Sequence, residues 1–183
     1  MINYQVEDSP FFTSNKSYSE KITAQLSTLD VETNGYCNSF GYNIEALIVR
    51  NQLTYYLVFH KHQSTRNGVI IPENAVNYSG INATVTGLSK DLSIDFGKSA
   101  FKRIFARKKI KNLIPSPGYL TLSFAPDKLI IEELLSFIQA NSVLKLRLHD
   151  GNFTIKLNSE TDDPIDLLDK IEKMTSTWNI LVE

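Results

Sequence analysis

Two β-branched and aromatic runs, "FGYNIEALIV" (40–49) and "LTYYLVFH" (53–60), stand three residues apart, separated only by "RNQ". Such runs around a short polar break predict an antiparallel hairpin. Shorter runs bounded by Gly, Pro, Asn or Ser predict further strands at "GVIIP" (68–72), "INATVTG" (81–87), "LSIDF" (92–96) and "GYLTLSFA" (118–125). The pattern in "VLKLRLHDGNFTIKL" is sharper still. With Asp150 and Gly151 as a two-residue turn, Leu148 faces Phe153, Leu146 faces Ile155 and Leu144 faces Leu157. Lys145, Arg147, Thr154 and Lys156 then share the opposite face.

Helical spacing takes over elsewhere. Ile22, Leu26 and Leu29 predict a helix within 17–29, although Ile22, Ala24 and Leu26 also alternate as a strand would. Residues 1–14, polar apart from Phe11 and Phe12 and carrying Pro10, read as an extended arm. After Pro126, Asp127 can cap a helix whose apolar face is Leu129, Ile130, Leu134, Leu135 and Ile138. A last helix starts at "DDP", with Asp163 as cap, Pro164 at the first position and Asp166 in the first turn. Leu167, Leu168, Ile171, Met174, Trp178 and Leu181 form its buried stripe. The expectation is an α+β fold: a largely antiparallel sheet with three to four helices on one face, the C-terminal helix following a β-hairpin. No repeat or linker divides the chain, so residues 1–183 read as one domain.

Composition narrows the classes. Apolar residues at 42% and charged residues at 21% are globular values, which argues against disorder. Cys37 is the only cysteine, so neither an internal disulfide nor a multi-cysteine metal site can form. The N-terminal stretch lacks the basic start and apolar core of a secretory signal, and no run of about 18 apolar residues occurs. A cytoplasmic location without a transmembrane segment is the expectation. The glycosylation-type tripeptides at Asn15, Asn77, Asn82 and Asn152 are then by-products of the Asn and Ser content.

Candidate chemistry is sparse. His60 and His62 share a strand face and could hold a metal with further ligands, Glu73 being one guess; two exposed histidines at a strand end is the plainer reading. "SAFK" (99–102) matches Ser-x-x-Lys, but Ser-Asp-Asn and Lys-Thr-Gly are missing, and Ser99 serves equally as a helix cap. His149 and Asp150 sit where the hairpin needs its turn, and "ETDD" (160–163) reads as a loop and cap before it reads as a cation site. No phosphate loop, dinucleotide fingerprint, zinc-protease motif or nucleophile elbow is present. No cofactor is implied.

Charge is segregated along the chain. From Lys98 to Lys111 there are seven basic residues and no acidic one, in a chain of net charge −1. On a helix, Phe101, Ile104 and Phe105 make an apolar seam, while Lys98, Lys102, Arg103, Arg107, Lys108, Lys109 and Lys111 supply the basic residues, Lys108 lying at the edge of the seam. A solvated helix face, an anionic membrane surface and nucleic-acid phosphates compete as explanations. The lack of a reading motif counts against nucleic acid.

The succession "GYNIEALIV", "YLTLSFAPDKLIIEELLSFIQ", "LKLRLHDGNFTIKL" and "DPIDLLDKIEKM" resembles the soluble part of a widespread family of uncharacterised bacterial proteins, some of them anchored in membranes. The resemblance covers about two thirds of the chain. It implies no catalytic residue and adds weight to a membrane surface as partner. The first reading is a non-enzymatic binding or regulatory module whose basic segment meets an acidic protein or anionic membrane surface. The competing reading is a hydrolase-like enzyme with a cleft site assembled from distant residues.

Overall fold

A computed structural model of the chain describes residues 1–6, 8–63, 77–88, 93–98, 118–122 and 128–179. Among them, strands β1 (Ile2–Tyr4), β2 (Thr33–Asn38), β3 (Gly41–Arg50), β4 (Leu53–Gln63), β5 (Asn77–Thr86), β6 (Ile94–Lys98), β7 (Gly118–Leu122), β8 (Val143–His149) and β9 (Asn152–Leu157) join in one sheet. The strand order is β1-β2-β3-β4-β5-β9-β8-β6-β7. Only β1 and β2 pair in parallel, which a hairpin cannot connect; helix α1 (Pro10–Ser27) makes the crossover. Helices α2 (Lys128–Ala140) and α3 (Pro164–Asn179) complete the described elements. The α+β class, the largely antiparallel sheet and the C-terminal helix after the β8–β9 hairpin agree with the sequence pattern.

Both predicted hairpins form. At β3–β4 the turn is Asn51–Gln52, each at positive φ (50° and 65°), and at β8–β9 it is Asp150–Gly151 (49° and 73°). Positive φ at both central residues matches the right-handed twist of the strands they join. One pair departs from expectation: Leu157 faces Val143, because a bulge between Val143 and Lys145 displaces Leu144 to a half-buried position. One extra residue there puts Val143 on the core side.

The N-terminal arm is also corrected. Residues 2–4 are extended but paired to β2, and the helix starts at Pro10 rather than near Ser17. Ser9 Oγ accepts the Phe11 N–H at 3.3 Å, and Pro10 occupies the first helical position, where its missing N–H costs nothing. Phe12 is buried in consequence. The strand expected at 68–72 lies outside the described residues, as do Asp127 and Leu181.

The core lies between sheet and helices. Tyr42, Ile44, Ala46 and Ile48 of β3, Tyr55, Leu57 and Phe59 of β4, Ile81, Ala83 and Val85 of β5, and Phe153, Ile155 and Leu157 of β9 all point into it. From α3 come Leu167, Leu168, Ile171, Met174 and Trp178, with the indole edge-on to Phe153 at 4.7 Å. Asp163 Oδ1 accepts the N–H groups of Ile165 and Asp166, which is the expected cap. Arg50, at the β3–β4 turn, reaches Asp169 and Glu172 of α3 at 3.1 and 3.2 Å. Among the described residues, no helix is long and apolar enough to cross a membrane.

Candidate functional site

With the described helices on one side, the other side of the sheet carries residues in rows that run across strands. One row is Val58, Asn82, Lys156, Lys145 and Gly97, read from β4 through β5, β9 and β8 to β6. The next is Tyr56, Thr84, Thr154, Arg147 and Asp95. Adjacent strands lie about 4.8 Å apart, so each row is a line of touching side chains. Lys145, Arg147, Thr154 and Lys156 are exposed, and Asn82, Thr84 and Val58 half-buried.

The centre of this face is electrostatically unbalanced. Lys145 and Lys156 stand directly opposite each other on β8 and β9, an arrangement that is mildly destabilising for like charges. Neither makes an ion pair among the described residues. Arg147 stands opposite Asp95 in register, and the Asp95 carboxylate accepts the Tyr119 hydroxyl at 3.3 Å. Thr154 Oγ1 donates to Arg147 O at 3.4 Å, and Asn82 and Thr84 keep their side-chain donors unused by described residues. Asn82, Thr84, Lys145, Thr154 and Lys156 line a shallow hollow of about 220 Å³.

Rings stand over glycines at two places on this face, at Gly97 in the first row and at Gly80, which pairs with His60 in the row beyond Val58 and Asn82. A Cβ on Gly97 would lie 2.9 Å from the Tyr119 ring, and one on Gly80 would lie 3.3 Å from the His60 ring, so each glycine is the floor under an aromatic side chain. His60 is half-buried there. Burial first, and the Lys156 ammonium second, hold its pKa below the ordinary imidazole range. The unfolded chain therefore takes up this proton at higher pH than the folded one. Stability from neutral His60 is fully present above about pH 6.5 and declines as pH falls towards the folded pKa. Thermal unfolding followed from pH 7.5 downwards should show His60→Gln losing less Tm below pH 6.5 than the native chain; equal losses would contradict the assignment.

The residues expected to bear function fall in several places. Lys98 ends β6 and does not begin a helix. Lys102, Arg103, Arg107, Lys108, Lys109 and Lys111 lie outside the described residues, as do Glu73, Ser99, Phe101, Ile104 and Phe105. His60 and His62 share a strand face as expected, but among the described residues no group of three or more His, Cys, Asp or Glu could hold a metal ion. His149 Nδ1 meets Asp150 Oδ2 at 2.8 Å on the exposed hairpin tip.

The carboxylates of 160–163 are engaged by the protein itself. Glu160 accepts the Tyr42 hydroxyl at 2.9 Å and lies 3.6 Å from Lys61, Asp162 pairs with Lys21 at 2.6 Å, and Asp163 caps α3. Tyr42 stacks on Tyr18, whose hydroxyl donates to Thr161 O. Burial pushes the Tyr18 phenol up to about 12 and raises Tyr42 well above the ordinary range, with Tyr18 and the Glu160 charge adding to the latter. Both phenols stay protonated and fasten the 160–163 loop to the sheet. On the helix side, the hollow of about 280 Å³ between α2 and α3 is bounded by Glu133, Phe137, Lys173 and Met174. Its charges are paired, Lys173 with Glu133 at 3.4 Å and Lys170 with Asp166 at 2.6 Å.

Comparison with family models, curated proteins and solved structures finds no match. The site must be read from its own chemistry.

Proposed function

We propose that the protein is a non-enzymatic binding module whose sheet face opposite the core meets an anionic partner. The observation that carries this reading is the Lys145–Lys156 pair, two exposed lysines opposed across β8 and β9 and in no ion pair among the described residues. On the helix side the carboxylates are matched by cations, Glu133 with Lys173, Asp166 with Lys170, and Asp169 and Glu172 with Arg50. The two opposed lysines of the sheet face are thus set apart from the paired charges of the helix side. An anion approaching from solution is drawn to the two opposed ammonium groups of the sheet face. An acidic protein surface and an anionic membrane both have this character, and the segment between Lys98 and Lys111 adds to the same sign of charge.

Retention on phosphocellulose at low ionic strength tests the reading. The Lys145→Glu/Lys156→Glu chain should elute at clearly lower salt than the native protein, because exposed charges act within about a Debye length. Lys170→Glu/Lys173→Glu changes net charge equally but on the helix layer, and should elute closer to native. Equal displacement of both variants would mean that net charge alone governs binding, and the reading would fail.

A further inference from the structure

We propose that the hollow between β5, β9 and β8 is a binding site for a phosphoryl dianion, such as inorganic phosphate or a phosphate monoester. The inference rests on the anionic-partner reading and makes it specific. Four features of the hollow favour this ligand class over a carboxylate.

First, two ammonium groups converge from facing positions on neighbouring strands, where Cβ atoms stand about 5 Å apart, so a single small anion can touch both. A carboxylate brings one negative charge and satisfies one of them; a phosphate monoester brings nearly two. Second, the cations are lysines. A lysine binds phosphate as a point charge from any direction, and the planar fork of Arg147, which suits carboxylate and phosphate alike, lies in the next row opposite Asp95. Third, neutral donors lie where the remaining phosphate oxygens would fall: the Asn82 amide in the same row as the lysines, and the Thr84 hydroxyl in the next. Neither is used by a described residue. Fourth, the walls are low. Asn82, Thr84 and Thr154 are short side chains, so the two lysines rise beside a shallow floor.

The Lys145–Lys156 repulsion gives such a ligand its advantage. In the free protein the two ammonium groups disfavour each other and depend on solvent and salt for screening. A dianion between them replaces a repulsion with two attractions. His60, next to Lys156, senses the same change, with Glu45, Tyr56 and His62 the other titratable groups on the same face of β3 and β4.

The test uses the whole chain, labelled with ¹⁵N and titrated with inorganic phosphate at constant ionic strength, chloride making up the balance. The expected result is saturable shifts of the Asn82, Thr84, Lys145 and Lys156 amides, with a Kd on the order of 1 mM. Lys145→Met/Lys156→Met, which keeps side-chain length at exposed positions, should weaken binding at least about tenfold while leaving amide shifts on the helix layer in place. Shifts that stay linear, or that chloride reproduces, would overturn the phosphoryl site; phosphocellulose retention could still hold, leaving the broader reading intact. A second arm identifies the source of the phosphate. Vesicles containing phosphatidic acid, but not vesicles of phosphatidylcholine alone, should bind the protein and be displaced by free phosphate if the ligand is a lipid headgroup. Saturable binding of free phosphate without vesicle binding assigns the site to a soluble phosphate.

Discussion

Gly41→Ala should destabilise the protein by about 3 kcal/mol or more, moving the urea midpoint down by roughly 1.5 M for an m-value near 2 kcal/mol per M. Gly41 opens β3 at φ 151°, a region that residues with a side chain essentially do not enter. A Cβ there would also overlap the carbonyl oxygen of Lys61 in β4. The neighbouring strands leave it nowhere to go, because Gly41 pairs with Asn38 on one side and His62 on the other. Relief requires breaking one ladder or the other. Asn38 Oδ1 accepts the N–H groups of Phe40 and Gly41, so the tight β2–β3 connection would be lost with it. A loss below about 0.5 kcal/mol would mean that β2, β3 and β4 are not in this register.

Trp178→Ala should cost about 3–5 kcal/mol, because it removes the largest fully buried side chain from the core. The indole lies edge-on to Phe153 and below the sheet centre, so truncation opens a void between α3 and β9. Trp178→Phe is the informative companion. The indole Nε1 is buried without a hydrogen-bond partner among the described residues, and an unpaired buried donor carries a penalty of about 1–3 kcal/mol. Phenylalanine removes that penalty while keeping most of the ring, so its cost should stay below about 1.5 kcal/mol. As Trp178 is the only tryptophan, unfolding of both variants is best followed by far-ultraviolet circular dichroism. If Phe proves as costly as Ala, the indole N–H is bonded in the native state.

What the sequence made legible was local. The β3–β4 and β8–β9 hairpins and the capped start of α3 each carry their signal within about 20 residues: alternation around a turn, or Asp-Pro before a helical stripe. The outward set Lys145, Arg147, Thr154 and Lys156 could be read from the same alternation. Strands β1 and β2 were missed because "INY" and "TNGYCN" have no sustained alternation; their place comes from parallel pairing across α1. The early start of α1 had a signal in Ser9-Pro10, a cap followed by proline. Its buried face was obscured because Asn15 and Ser19 belong to it, with the Asn15 amide donating to the Asn38 and Ser39 carbonyls. The candidate site depends on β5 beside β9 and β6 beside β8, pairings between strands more than 45 residues apart. No local pattern encodes such contacts. The Leu144 bulge likewise follows from packing and not from alternation.

Lysine reactivity in the presence of a bound polyanion tests the central claim most directly. The protein, with and without saturating polyphosphate, is acetylated briefly at low salt, and modification at each lysine is quantified by mass spectrometry. Protection of Lys145 and Lys156, with Lys170 and Lys173 as reactive as before, is the predicted result. Protection confined to the lysines between Lys98 and Lys111, with Lys145 and Lys156 unchanged, would contradict the claim that the open sheet face is where the anionic partner binds.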